Sequence, residues 1–217
     1  MPVPPLKVVA IDGPAGSGKS TVARAAADRL GLAYLDTGAM YRAVAFAAIQ
    51  RGIDPEDREG VAKMVPDLEL EVGELVKVDG TDATVEIRTP EVTRAVSAIA
   101  ANPEVRRDLV ARQRAWVEAH KWGVVEGRDI GSVVFPAAQV KVYLTAQGAA
   151  RANRRSKELL DLHYDQVAAD MARRDHLDST RADSPLEIPE GAVLMDTTDA
   201  SVDEVVNRVL ELARAAL

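Results

Sequence analysis

The chain contains the octapeptide Gly13-Pro14-Ala15-Gly16-Ser17-Gly18-Lys19-Ser20. These residues fit G-x-x-x-x-G-K-[ST], the pattern of a loop that wraps the phosphates of a nucleotide. The apolar residues 7–11 before the loop predict a short buried strand, and residues 21–30 after it predict a helix. Strand, glycine-rich turn and helix are the context that the pattern requires. The octapeptide therefore predicts a nucleotide-binding α/β protein.

Each part of the predicted loop suits an anionic ligand. Consecutive backbone N–H groups form a concavity, and the helix that follows adds the positive end of its dipole. Lys19 supplies a mobile charge for the β- and γ-phosphates, and the hydroxyl of Ser20 suits Mg²⁺. The loop alone indicates a bound nucleotide and leaves the reaction open.

The composition excludes several classes of protein. With 217 residues, the chain is expected to form one domain or a core with a small insertion. The absence of cysteine excludes disulfides, thiolate metal sites and thiol chemistry. A net charge of −7, with two Trp and two Phe, argues against a nucleic-acid partner. The sequence has neither a signal-peptide pattern nor a long apolar run, so we expect a cytoplasmic protein without membrane partners.

Alternating strands and helices predict a parallel sheet with helical crossovers. Five short apolar segments are its expected strands: residues 7–11, 32–35, 124–126, 140–144 and 193–195. A helix is expected over residues 43–49. Ligands bind beyond the carboxyl ends of such strands, so the polar loops 12–20 and 36–42 are expected at one edge of the sheet.

Residues 65–88 have a different pattern, because apolar and polar residues alternate there. That pattern predicts three antiparallel strands, each with one solvated face, at residues 68–72, 75–79 and 83–87. Thr89-Pro90 and Asn102-Pro103 then cap two helices, and residues 201–204 fit a capping box before the last helix. We therefore expect an inserted β subdomain, residues 65–100, within a core made of residues 1–64 and 101–217.

Two polar helical stretches, residues 147–161 and 164–176, are rich in arginine and too poor in apolar residues to be core. They are either a solvated hairpin or a mobile lid, at about residues 151–176, that brings guanidinium groups to phosphates. The phosphate-binding loop favours the lid.

Two kinds of phosphoryl acceptor, a phosphate monoester and a neutral hydroxyl, would require different catalytic residues. A phosphate monoester is already anionic at neutral pH and requires no general base, and arginines bind it bidentately. A neutral hydroxyl would require a base, for which Asp36 and Asp129 are the best-placed carboxylates. The three histidines fit no catalytic set, and no Asn-Lys-x-Asp motif supports a GTPase.

The chain closely resembles bacterial cytidylate kinases, which belong to the nucleoside-monophosphate kinases. The resemblance runs in order along nearly the whole chain, through residues 11–20, 36–42, 87–92, 127–131 and 133–136, Arg174-Asp175, Asp178 and Arg181. Two departures are chemically mild: Glu126 stands where the family often has Asp, and Ser132 where it often has Thr.

The resemblance implies a P-loop kinase fold and transfer of the γ-phosphoryl group of ATP, with Mg²⁺, to CMP or dCMP. The implied catalytic residues are Lys19, Arg128, Arg174 and Arg181. The implied ATP-binding residues are Gly13, Pro14, Ala15, Gly16, Ser17, Gly18, Lys19, Ser20, Thr21, Arg154 and Arg155. The implied CMP-binding residues are Asp36, Thr37, Arg42, Ser97, Arg106, Arg128, Asp129, Arg174, Asp178 and Arg181.

Within the CMP set, the resemblance assigns Arg42, Arg128 and Arg181 to the acceptor phosphate. It assigns Ser97, Arg106 and Asp129 to the cytosine, whose amine and ring acceptors suit these side chains. We expect a monomer. Two alternatives stay open: a kinase for a hydroxyl of a small metabolite, and a nucleotide-binding regulator without turnover.

Overall fold

The computed structural model of the chain describes residues 7–158 and 163–216. The chain forms two compact units. The first unit comprises the chain up to Tyr34 and from Val117 onward, and the second unit comprises Leu35–Trp116. The expected inserted subdomain, residues 65–100, stays a prediction within the second unit.

Strands and helices alternate along most of the described chain. In chain order they are β1 (Lys7–Asp12), α1 (Lys19–Leu30), β2 (Ala33–Asp36), α2 (Thr37–Gln50), α3 (Arg58–Met64), β3 (Leu70–Val72), β4 (Val76–Val78), β5 (Thr81–Asp82), α4 (Pro90–Ala100), α5 (Pro103–His120), β6 (Trp122–Gly127), β7 (Val140–Thr145), α6 (Gly148–Glu158), α7 (Tyr164–Thr180), β8 (Val193–Asp196) and α8 (Val202–Ala216). Within these ranges no helix is both long and apolar enough to cross a membrane.

Five strands form the predicted parallel sheet, in the order β2-β6-β1-β7-β8. The central strand β1 pairs in parallel with β6 and β7, and β8 pairs in parallel with β7. Helices α1 and α8 cover the sheet with small and branched side chains, among them Val22, Ala26 and Val209, all buried. The expected sheet flanked by helices is confirmed.

Helix caps form where the sequence predicts them. Ser201 and Glu204 make the reciprocal bonds of a capping box before α8: the Ser201 N–H donates to the Glu204 carboxylate at 2.8 Å, and the Glu204 N–H donates to the Ser201 hydroxyl at 3.3 Å. Thr89 accepts from the N–H of Val92 to cap α4. Asn102 accepts from the N–H of Glu104 at 3.1 Å at the start of α5.

The polar loop expected over residues 36–42 is wrong, because α2 already begins at Thr37. The Asp36 carboxylate accepts a hydrogen bond from the N–H of Ala39 at 2.9 Å and so caps the helix. Thr37 and Gly38 therefore start a helix, although they resemble a turn in the sequence.

The second unit contains a small antiparallel sheet, in the order β3-β4-β5. The third strand is wrong as predicted over residues 83–87, because β5 is only Thr81–Asp82. The Asp82 carboxylate accepts from both the N–H and the hydroxyl of Thr84, and the Thr84 hydroxyl accepts from the N–H of Val76 at 2.9 Å. These side-chain bonds turn the chain, and residues Glu86–Arg88 form a 3-10 turn.

The two arginine-rich stretches form α6 and α7. Helix α7 extends beyond the expected residue 176, to Thr180. Residues 159–161 of the first expected stretch lie outside the described residues.

Candidate active site

The octapeptide connects β1 to α1 by a path that depends on glycine. Gly13 has φ 146°, and a Cβ there would lie 2.0 Å from the carbonyl oxygen of Leu144 in β7. Gly18, with φ 88°, precedes the first residue of α1 and offers no side-chain cap. The N–H groups of the first turn of α1 therefore have no side-chain acceptor from this cap and suit an anionic ligand.

Lys19 is a buried lysine whose ammonium group donates to the Pro14 carbonyl oxygen at 2.8 Å. Burial, and then the charge of Arg128, lower its pKa to about 7, while the Glu126 carboxylate opposes that shift. A phosphate anion would favour the charged form of this lysine. The electrostatic environment of the loop therefore suits a negatively charged ligand beside Lys19.

Three buried or half-buried arginines lie close to two aspartates in the first unit. The Nε of Arg128 donates to Asp178 Oδ2 at 2.9 Å, and the Nε of Arg174 lies 3.9 Å from the same oxygen. Arg181 Nη2 lies 3.6 Å from Asp129 Oδ1. The structure thus brings together all five of the predicted acceptor-binding residues of the first unit.

The charges of this arginine cluster are only partly compensated. Burial tends to raise the pKa of Asp178, but the guanidiniums of Arg128 and Arg174 outweigh burial and hold that pKa below its usual range. Burial and the charge of Arg128 lower the pKa of Arg174 to about 10. Two guanidiniums that share one carboxylate oxygen still have N–H donors for a phosphate.

The second unit holds the other predicted acceptor-binding residues, namely Asp36, Thr37, Arg42, Ser97 and Arg106. Arg42 Nη1 donates to the hydroxyl of Thr93 at 2.8 Å and to the carbonyl of Ile87 at 3.2 Å. Arg106 is buried and donates to the Tyr41 hydroxyl at 3.2 Å. These contacts hold both guanidiniums in defined orientations within this unit.

Helices α6 and α7 contact the phosphate-binding loop directly. Arg151 donates to the carbonyl oxygen of Ala15 at 3.0 Å and pairs with Asp175, whose carboxylate accepts from the N–H of Ala15 at 3.3 Å. Arg154 donates to the hydroxyl of Thr197 at 3.0 Å, and that hydroxyl donates to the carbonyl of Ser17 at 3.1 Å. Arg154 therefore lies next to the loop that it was predicted to serve.

Sequence reasoning missed several residues of this region. Asp12 is fully buried, and its carboxylate accepts from the N–H groups of Ile130 and Gly131. Burial raises the pKa of Asp12 to about 6, although these two bonds oppose the shift. Asp12 and Asp175 both stand in motifs that carry the resemblance, which assigns a role to neither. A carboxylate directly after a predicted apolar strand is the available signal for Asp12.

The residues of the first unit fit a magnesium ion that arrives with nucleotide phosphates. Ser20 is exposed at the start of α1, whereas both oxygens of Asp12 are bound to backbone N–H groups. Residues 7–158 and 163–216 contain no group of three or more His, Cys, Asp or Glu side chains that could hold a metal. Mg²⁺ in kinases is typically held by one or two protein oxygens together with substrate phosphates.

Comparisons with known proteins agree with this geometry. The family model "Cytidylate kinase" matches residues 9–215. A cytidylate kinase of Nocardia farcinica is 48% identical over 211 residues, which cover 93% of this chain and 91% of the relative. A cytidylate kinase of Rhodococcus jostii is 49% identical, covering 94% and 93% of the two chains.

Among solved structures, a gluconokinase from Sinorhizobium meliloti shares the fold, with a TM-score of 0.52 and 16% identity over 97% of this chain and 94% of that one. This likeness concerns the fold alone. The family match and the two relatives cover nearly the whole chain, including the phosphate-binding loop and the arginine cluster. The chain therefore belongs to the cytidylate kinase family.

Proposed function

We propose that this member of the cytidylate kinase family transfers the γ-phosphoryl group of ATP to CMP or dCMP and yields ADP with CDP or dCDP. One observation carries the proposal: β1 and β6 pair in parallel with Asp12 opposite Gly127, so the phosphate-binding loop and Arg128 follow neighbouring strands at one edge of the sheet. There the charges of Arg128 and Arg174 lower the pKa of Lys19. A donor-phosphate lysine and acceptor-phosphate arginines therefore adjoin one another within the first unit, as direct transfer between two phosphates requires.

The chemistry needs little besides positioning and charge. An oxygen of the acceptor phosphate attacks the γ-phosphorus, and the bond from that phosphorus to the oxygen bridging to the β-phosphate breaks. The acceptor oxygen is already ionised near neutral pH, since the second pKa of a phosphate monoester is about 6. Lys19 holds the donor phosphates, and Arg128 and Arg181 hold the acceptor phosphate. Arg174 contacts the transferring phosphate and helps to stabilise the developing charge.

Mg²⁺ would bind the ATP phosphates with the help of the Ser20 hydroxyl, and it would neutralise charge on the leaving group. The backbone of residues 13–21 would hold the triphosphate. Arg154 and Arg155 of α6 would contact ATP from the lid. In this proposal the protein is a monomer and works in the cytoplasm.

Recognition of the cytosine base is assigned to Ser97, Arg106 and Asp129, because their motifs resemble those of cytidylate kinases. Cytosine presents an amine donor at N4, which suits a carboxylate such as Asp129, whereas uracil presents the acceptor O4. A buried carboxylate that faces an acceptor is costly, so UMP would be a poor substrate.

The competing reaction, transfer to a metabolite hydroxyl, has less support. Its base would be Asp36 or Asp129. Asp36 caps α2 through the N–H of Ala39, and Asp129 lies 3.6 Å from the guanidinium of Arg181. Each carboxylate is already engaged, Asp36 by a backbone N–H and Asp129 by a guanidinium, which disfavours either one as the acceptor of a hydroxyl proton.

The deciding experiment measures initial rates with ATP and Mg²⁺ for CMP, dCMP, UMP, AMP and GMP. We expect CMP and dCMP to be the preferred acceptors. Lys19→Met should lower kcat at least about a hundredfold. Lys63→Met removes an exposed lysine that pairs with Glu59 on α3, and it should leave the rates unchanged.

A clear preference for another monophosphate would overturn the proposed acceptor. Binding of ATP without any formation of CDP or dCDP would support a regulator instead.

A further inference from the structure

Asp12 is a buried carboxylate that the reaction described above does not use. It is the last residue of β1, opposite Gly127 of β6 and Tyr143 of β7 in the parallel register. Its exposed fraction is 0%, so a substrate does not touch it. Any effect of Asp12 on the reaction must pass through the groups that it binds or through its charge, which acts on Asp129 and, as the smallest of the contributions there, on Lys19.

The two oxygens of Asp12 bind consecutive N–H groups of the turn that follows β6. Oδ1 accepts from the N–H of Ile130, and Oδ2 accepts from the N–H of Gly131, each at 2.8 Å. Both hydrogen bonds are charge-assisted and lie in the interior, where such bonds are strong. The carboxylate therefore anchors two successive peptide groups to the end of the central strand.

One of these peptide groups belongs jointly to Asp129 and Ile130. Its carbonyl, that of Asp129, accepts from the N–H groups of Val133 at 2.9 Å and Val134 at 3.1 Å, within a π-helical turn. The same peptide plane is thus bound on its N–H side and on its C=O side. It cannot rotate without breaking these bonds, and the backbone dihedrals of Asp129 are held with it.

The direction in which a side chain leaves the backbone follows from those dihedrals. Arg128 and Asp129 immediately precede the anchored peptide, and their side chains contact Asp178 and Arg181. We propose that Asp12 is a positioning residue for the acceptor: it couples the strand that leads into the phosphate-binding loop to the orientation of Arg128 and Asp129. This inference rests on the proposed function, which makes those two residues acceptor-binding.

A positioning role differs from a merely structural role in how the two substrates respond. Asp12→Asn keeps the size of the side chain and one acceptor oxygen, but it turns an amide donor toward a backbone N–H. The KM for CMP should rise about tenfold, whereas the KM for ATP should change less than about twofold. The preference for CMP over UMP in kcat/KM should fall as well, because Asp129 is displaced.

The matched control is Asp57→Asn, the same chemical change at an aspartate whose Oδ1 accepts from the N–H of Gly60 to cap α3. It should leave both KM values unchanged. If Asp12→Asn proves too unstable to assay, Asp12→Ser, which keeps an acceptor without opposing a donor, should show the same split between CMP and ATP.

Equal increases in both KM values would overturn the positioning role, and so would an unchanged KM for CMP in a folded Asp12→Asn. The wild-type rates separate this result from failure of the proposed function. A wild-type protein that does not prefer CMP or dCMP contradicts the function itself.

Discussion

The two regions of the first unit that we propose to bind phosphates are built by different means. The loop Gly13–Ser20 offers backbone N–H groups, and its shape depends on Gly13, Gly16 and Gly18, all of which have positive φ angles. The arginine cluster, Arg128, Arg174 and Arg181, offers side chains from separate parts of the chain, held by carboxylates. One region is therefore contiguous in sequence, whereas the other exists only after folding.

This difference predicts that the loop is sensitive to backbone changes that leave no polar group altered. A Cβ at Gly13 would lie 2.0 Å from the Leu144 carbonyl oxygen, and Gly13 has φ 146°. A Cβ at Gly18 would meet no atom within 4 Å, although φ is 88° there. Gly13→Ala should therefore lower the free energy of unfolding by more than about 3 kcal/mol, and Gly18→Ala by about 1–2 kcal/mol.

Urea denaturation of the two variants checks this contrast. Because both substitutions add a single methyl group, each serves as a control for the other. Equal losses of stability would mean that the approach of the loop to β7 is not what constrains Gly13.

The arginine cluster should instead be sensitive to the shape of its side chains. Arg128→Lys keeps a positive charge but loses the planar fork of donors, one of which binds Asp178 at 2.9 Å. We expect kcat/KM for CMP to fall at least about tenfold in Arg128→Lys and about a hundredfold or more in Arg128→Ala.

Arg173→Ala is the control, since Arg173 lies one residue from Arg174 on α7 but is exposed and pairs with Asp170. It should retain the wild-type kcat/KM in the same steady-state assay. An unchanged kcat/KM in Arg128→Lys would mean that charge alone, without bidentate geometry, accounts for the cluster.

The region that is contiguous in sequence is easier to predict than the region that is assembled by folding. The loop, the parallel strands and the caps at Thr89 and Ser201 depend on residues within a few positions, and local patterns predicted them correctly. Local patterns failed at residues 36–42 and 83–87. At both places a side chain, Asp36 or Asp82, bonds to a backbone N–H two or three residues later and redirects the chain.

Contacts between residues that are far apart in the chain are harder to predict from a single sequence. Asp12 binds an N–H group 118 positions away, and Asp175 binds one 160 positions away. No spacing rule connects such pairs. The resemblance of their motifs to those of a known family identifies the arginines of the cluster. Composition alone predicts that these arginines are exposed on the surface.

The arginine cluster also acts electrostatically on Lys19 of the loop, and this predicts that Lys19 takes up a proton when ATP binds. Lys19 has a pKa lowered to about 7 by burial and by the charge of Arg128, so it is mostly neutral at pH 8 without a ligand. The triphosphate favours the ammonium form and raises that pKa. At pH 8 each bound ATP should therefore take up close to one proton, and above pH 7 the affinity should fall by up to about tenfold per pH unit.

Calorimetric titrations at pH 8, in two buffers of different ionisation enthalpy, measure this uptake. The uptake should be much smaller at pH 6, where Lys19 is already charged. Lys19→Arg is the matched control, because a guanidinium keeps its charge throughout this range and should take up no proton. If wild type and Lys19→Arg give the same proton count at pH 8, burial and the charge of Arg128 do not hold the pKa of Lys19 near 7, and the two regions are not coupled through that lysine.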